Sequence, residues 1–127
     1  MNIKKSIVGS LFSMLLVSEM AAADWGDVYY CQMTALVKIT PDGEITKHTL
    51  EKFQFKLDQT KNAMVFGSTG SFANEVSELT TGSSFPSQEF WHANGVYSMT
   101  NFRKGEFLHS IVLSNAMFSI SAKCDKF

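Results

Sequence analysis

The sequence predicts an all-β fold: an antiparallel meander of about eight strands that closes on itself as a small barrel, with a β-sandwich of different strand order as the alternative. Three observations support this prediction. Apolar and polar residues alternate with a period of two over much of the chain, whereas helical spacing is hard to find after residue 24. Turn residues separate the alternating runs. Two cysteines stand near the start of the first run and the end of the last one.

The N-terminal segment has the organisation of a secretory signal peptide. Two lysines near the start are followed by an apolar stretch at 7–17 and by three alanines at 21–23. The apolar stretch is shorter than the roughly 20 residues that a membrane-spanning helix needs. We therefore expect residues 1–23 to be cleaved, and residues 24–127 to form a single β domain that is exported to the periplasm or beyond the cell.

Eight alternating runs follow the predicted cleavage site. The clearest is the last, in which Phe118, Ile120, Ala122 and Cys124 share one face and serine and lysine occupy the other. Connections of hairpin length make neighbouring strands antiparallel, and only the stretch at 80–88 is long enough to be a working loop. The predicted strands are 28–39, 44–57, 63–67, 71–78, 89–93, 96–102, 106–113 and 116–124.

The alternation also predicts which side chains face the interior. In the first strand, every second residue is expected to face the interior along the whole of 28–39. Large aromatic residues of most other strands are expected to face the interior too. These residues either fill the barrel or line a cavity for one small ligand. The inward residues predicted for the first strand are Tyr29, Cys31, Met33, Ala35, Val37 and Ile39, and the other inward aromatics are Phe53, Phe55, Phe72, Phe90, Tyr97, Phe107 and Phe118.

The two cysteines, Cys31 and Cys124, are expected to form a disulfide. An even cysteine count in an exported chain normally pairs, and two cysteines allow one intramolecular connectivity. With an even number of strands the first and last run in opposite directions, so the start of one can lie beside the end of the other. The bond would close a loop of about 94 residues and so contribute up to about 4.7 kcal/mol.

Charge and motifs exclude several functions. The chain has 11 Lys and Arg against 12 Asp and Glu, and it lacks any long basic run, so we expect no nucleic-acid binding. Lysines on the faces opposite the apolar rows argue against insertion in a membrane as a barrel. No metal-binding or hydrolytic motif is present, so we expect no enzyme, metal or cofactor. The alternative is a hydrolase that uses His92 and His109, both expected to point inward.

Two binding functions remain. The first is a carrier of a small apolar ligand, contacted inside the barrel by His92, His109, Tyr97 and Phe107. The second is a protein-interaction module or inhibitor-type accessory protein of the cell envelope, which would use the loop at 80–91. That loop contains the aromatic side chains of Phe85, Phe90 and Trp91, which anchor interfaces when exposed and cap the barrel end when buried.

Overall fold

The computed structural model describes residues 22–80 and 90–127, and all regular structure in these two segments is β-strand. Apolar residues at alternating positions drive this outcome, since such a strand can bury one face and leave the other in water. The strands are β1 (Val28–Ile39), β2 (Ile45–Lys47), β3 (Lys52–Asp58), β4 (Ala63–Phe66), β5 (Val76–Glu78), β6 (Phe90–Asn94), β7 (Ser98–Arg103), β8 (Glu106–Val112) and β9 (Met117–Lys126).

The strands form one antiparallel sheet in the order β5-β4-β3-β1-β9-β8-β7-β6, and β2 pairs with the C-terminal part of β1. Strands β3, β4 and β5 pair in sequence order, as do β6, β7, β8 and β9, and β1 links the two series by pairing with both β3 and β9. The predicted meander is therefore confirmed. Its first and last strands pair over nearly their whole length, from Tyr29 opposite Lys126 to Ile39 opposite Met117.

The two ends of this sheet, β5 and β6, meet and nearly close the barrel. A single bridge pairs Leu79 with Ala93, and the Thr80 backbone N–H donates to the carbonyl oxygen of His92 over 2.8 Å. The fold is thus a nearly closed barrel and not a sandwich. Opposite this junction, the predicted disulfide between Cys31 and Cys124 is present and joins the first and last strands.

A β-bulge in β1 changes the predicted faces. The pairing with β9 shifts between Met33 and Ala35, which leaves Thr34 as the extra residue. Beyond the bulge Leu36 packs against the core, and Ala35 and Val37 lie on the outer surface. The prediction that Ala35, Val37 and Ile39 continue the inward row of β1 is therefore wrong, because one extra residue reverses the alternation.

Two predicted strands are shorter than expected. The run at 44–57 divides into β2 and β3, which pair with β1 on either side of its bulge. Residues 48–51 cross this gap, where the Met33 N–H donates to the carbonyl oxygen of Glu51. In the run at 71–78, the first residues form turns, and only β5 is strand.

Aromatic rings fill the centre of the barrel. Tyr29, Phe55, Phe102 and Phe107 are each no more than 1% exposed. The Tyr29 ring centroid lies 4.7 Å from that of Phe102 and 5.5 Å from that of Phe55, and the Phe55 and Phe107 centroids are 5.9 Å apart. Such contacts combine burial of large apolar surfaces with favourable ring geometry, so this cluster is the main stabilising core.

Candidate functional site

His109 and Phe107, both predicted to contact a ligand, point into the barrel from β8. Phe107 belongs to the central ring cluster, and the His109 ring is hydrogen-bonded through Nδ1 to Thr100 Oγ1 at 2.7 Å. The edge of the Phe72 ring packs against His109, with centroids 4.9 Å apart. Burial lowers the pKa of His109, because an imidazolium ion loses hydration there. This histidine has the surroundings of a satisfied core residue.

His92 points in the opposite direction. In β6 the buried side chains are Trp91 and Ala93, so His92 lies on the outer face. Its ring nitrogens are hydrogen-bonded to the side chains of Asn101 and Asn94. The predicted inward direction of His92 is wrong, because burial of the large Trp91 side chain sets the alternation of this strand. His92 and His109 therefore occupy opposite faces of the sheet and do not form the pair expected of a hydrolase.

Tyr97 and Phe90 also lie outside the inner row. Tyr97 is 69% exposed in the turn between β6 and β7, and the residues of β7 that are buried are Thr100 and Phe102. Phe90 alternates with buried Trp91 and is half-buried. The prediction that Tyr97 and Phe90 face the interior is wrong, because Tyr97 lies in the turn before β7 and because the buried positions of β6 and β7 have the opposite phase to that expected.

Of the aromatic residues proposed as an interaction loop, Phe90 and Trp91 lie on opposite faces of β6. Trp91 is 6% exposed, and its ring meets the Trp25 ring edge-on with centroids 5.0 Å apart. Trp91 thus belongs to the core and caps one part of it. Phe85 lies outside the described residues, as does most of the predicted loop at 80–88.

Within the described segments, no cluster of three or more His, Cys, Asp or Glu side chains is placed to hold a metal ion. Nor do residues 22–80 and 90–127 include a helix that would be long and apolar enough to cross a membrane. The surfaces that remain as candidate sites are therefore built from strand edges and strand faces.

The junction between β5 and β6 contains an open cleft of about 300 Å³, which we call the seam cleft. It begins beside the Leu79–Ala93 bridge and extends away from it, between β5 and the turn that follows β6. Its walls are formed by residues Glu75 to Glu78 on one side and Ala93 to Gly95 on the other, with Ser98 and Thr100 beneath. The two strands separate here without forming a ladder.

The backbone of β5 directs hydrogen-bonding groups into the seam cleft. The Leu79 N–H donates to Asn62 on the β4 side, and the Thr80 N–H donates to His92 on the β6 side. Backbone groups of successive residues in a strand point to opposite sides, so those of Glu78 face β6 at the bridge and those of Val76 face the cleft. The sequence did not reveal this edge, because the alternation predicted a longer strand at 71–78 that would have paired along its whole length.

The side chains around the seam cleft are acidic, neutral polar and apolar. Glu75 and Glu78 are exposed, and none of the lining residues is basic. Val76 in the wall is 54% exposed, and Val96, directly after the lining residue Gly95, is 88% exposed. Strand edges with exposed apolar side chains are sites at which another chain can pair.

Comparisons of this chain with protein-family models, with curated proteins and with solved structures found no match.

Proposed function

We propose that this protein is an exported, non-enzymatic binding module that captures an extended segment of another protein by strand addition in the seam cleft. The observation that carries the proposal is the edge of β5, where the backbone groups of Val76 face the cleft and β6 has moved away beyond the Leu79–Ala93 bridge. An added strand would pair with these groups, as in other cases of recognition by β-augmentation.

The side chains favour a partner of particular chemistry. Glu75 and Glu78 would attract Lys or Arg side chains, and such attraction mainly sets specificity and the rate of association. The exposed side chains of Val76 and Val96 would contact apolar residues of the same segment. The expected partner is thus an extended segment with a basic and an apolar residue two positions apart, on the same face, because Val76 and Glu78 share one face of β5.

The carrier function has less support. The four ring side chains at the centre of the barrel are linked by successive ring contacts and are almost completely buried, so they fill this part of the interior. A hydrolase has less support too, since the side chains of His92 and His109 project from opposite faces.

Strand addition is tested with labelled extended peptides and the natively exported protein, by fluorescence anisotropy. A peptide with Val and Lys two positions apart, and Thr between them, should bind more tightly than its counterpart with Glu in place of Lys. Val76→Pro removes the N–H that faces the cleft and leaves the bonds between β4 and β5 in place. Loss of this hydrogen bond should weaken binding about tenfold.

Glu78→Lys should weaken binding of the basic peptide, and Glu44→Lys, in the turn before β2, is the charge-matched control. The proposal is rejected if neither peptide binds. It is also rejected if Val76→Pro, with an unchanged circular dichroism spectrum, binds as tightly as the wild-type protein.

A further inference from the structure

A second pocket, lined by none of the residues of the seam cleft, lies where β1 and β9 meet the loop between β2 and β3. Its volume is about 350 Å³, which is sufficient for a small organic ligand. Leu36 and Phe118 form its apolar part, and Phe118 is two positions from buried Ile120 on the same face of β9. The other lining residues are His48, Thr49, Glu51 and Ser71, and we call this cavity the Glu51 pocket.

The carboxylate of Glu51 is held in one position. The Ser71 N–H donates to Oε1 over 2.8 Å, and Ser71 Oγ lies 3.1 Å from Oε1 and 3.0 Å from Oε2. Gly70 permits this close approach, because a Cβ there would lie 2.9 Å from Oε1. The backbone is fixed as well, since the carbonyl oxygen of Glu51 accepts a hydrogen bond from the Met33 N–H. A ligand would therefore meet a preorganised group.

The charge of this carboxylate is not neutralised by the described part of the chain. Within residues 22–80 and 90–127, no ion pair with Lys, Arg or His includes Glu51. Ser71 supplies two donors, so about two of the roughly four acceptor sites of an ionised carboxylate are left for a ligand. Neither Lys nor Arg occurs among the described lining residues. The Glu51 pocket thus presents a negative charge with unused acceptor capacity.

Aromatic rings line the same pocket. The rings of His48 and Phe118 are nearly parallel, with 15° between their planes and 6.0 Å between their centroids. The His48 N–H donates to the carbonyl oxygen of Leu36 over 2.8 Å, which fixes the start of the loop against β1. The face of an aromatic ring attracts a cation within about 6 Å, and flat delocalised cations also stack on rings. The carboxylate and the rings therefore favour the same kind of ligand.

We propose that the Glu51 pocket binds a small organic cation whose charge is spread over a flat amidinium or guanidinium group. The cation would donate charge-assisted hydrogen bonds to Glu51 and place its apolar part against Leu36 and Phe118. A divalent metal ion matches the pocket less well, because it needs several oxygen ligands and Glu51 is the one carboxylate among the described lining residues. A neutral ligand of the same shape would leave the carboxylate without a cationic partner.

The site is tested with benzamidine, a flat aromatic amidinium, and with its neutral counterpart benzamide. Each is titrated into the isotope-labelled, natively exported protein, and binding is followed by amide chemical shifts. Benzamidine should shift the signals of His48, Glu51 and Ser71 in a saturable way, with the millimolar dissociation constant typical of so small a ligand. Benzamide should bind at least about tenfold more weakly, because it cannot form the charge-assisted hydrogen bond.

The source of the cation is tested with acetyl-arginine amide, which carries a guanidinium group on a peptide backbone. Binding tighter than that of benzamidine would support the site and assign it to an arginine side chain. Saturable but weaker binding would support the site and assign it to a free aromatic cation.

Glu51→Gln keeps the size of the side chain and removes its charge, so it should weaken benzamidine binding by about tenfold or more. Glu44→Gln is the matched control, because Glu44 is exposed in the turn before β2 and does not line the Glu51 pocket. It should bind benzamidine as the wild-type protein does. Circular dichroism shows whether both variants keep the fold, and the comparison with benzamide needs no variant.

The proposal is overturned if benzamidine causes no saturable shifts at the Glu51 pocket, or if the shifts centre on Glu75 and Glu78 of the seam cleft. Equal affinity for benzamidine and benzamide also overturns it, as does unchanged affinity in a folded Glu51→Gln variant. Peptide binding in the seam cleft should be the same for Glu51→Gln and wild type, so failure at one site is distinguishable from failure at the other.

Discussion

Cys31 and Cys124 lie directly opposite each other in the ladder between β1 and β9, with Cα atoms 4.0 Å apart. The bond therefore joins two strands that are adjacent in space although 93 positions separate the cysteines in the sequence. Both sulfurs are buried among the core residues. The covalent link and the apolar packing thus support the same strand pair.

The disulfide should contribute strongly to stability. Replacing both cysteines, as in Cys31→Ala with Cys124→Ala, removes a long-loop crosslink and should lower the free energy of unfolding by about 3 to 5 kcal/mol. Denaturation in guanidinium measures the loss. Reductant should destabilise the wild-type protein and leave the double variant unchanged, and equal midpoints for the two proteins would contradict the expected role of the bond.

Truncating a side chain of the central ring cluster should lower stability much more than truncating one in the exposed turn between β6 and β7. Phe102→Ala removes a fully buried ring and should cost about 3 to 5 kcal/mol. Tyr97→Ala, at a position 69% exposed, should change stability by less than about 0.5 kcal/mol. Urea denaturation of both variants tests the assignment of Tyr97 to the surface, and a large loss for Tyr97→Ala would contradict it.

His109 should make stability depend on pH. Burial lowers the pKa of His109 in the folded protein, so the unfolded chain binds a proton more readily. The contribution of the neutral ring is complete above the unfolded pKa of about 6.5, and it is lost as pH falls below that value toward the folded pKa. His109→Gln should therefore be less stable at pH 7 and lose less stability between about pH 6.5 and 5.

Melting temperatures across this pH range test the effect of His109. His48→Gln serves as the control for loss of an exposed histidine. A wild-type curve parallel to that of His109→Gln would show that the buried ring does not cause the dependence.

Two glycine substitutions separate backbone strain from a local collision. Gly70 and Gly43 both have positive φ, +82° and +88°, where an L-residue costs about 1 to 2 kcal/mol. A Cβ at Gly70 would also lie 2.9 Å from Glu51 Oε1, whereas one at Gly43 would meet nothing within 4 Å. Gly70→Ala should thus destabilise more than Gly43→Ala in chemical denaturation, and the reverse order would contradict the contact with Glu51.

The parts of the fold that the sequence predicts depend on local alternation. In β9 the buried positions Ile120, Ala122 and Cys124 follow the period of two without interruption, and the disulfide follows from strand number and compartment. The bulge at Thr34 was not predictable, because it depends on how β1 meets β9, β2 and β3 at once. One extra residue then moved Ala35 and Val37 outward.

The binding surfaces were less predictable than the core. In β6 both Phe90 and Trp91 are apolar, so the sequence does not indicate which one faces inward; in the fold Trp91 does, and it packs in the core and against Trp25. The seam cleft depends on where β5 ends relative to β6. These two strands meet where the barrel closes, so no short stretch of the sequence determines their relative position.

The position of the disulfide determines where the barrel should open first. From the bonded pair, the sheet runs through β3 and β4 to β5 on one side, and through β8 and β7 to β6 on the other, so the lone Leu79–Ala93 bridge lies farthest from the crosslink. Local opening of the barrel should begin at that bridge. In native-state hydrogen exchange, the Thr80 amide should consequently lose protection well before the amides shared by β1 and β9.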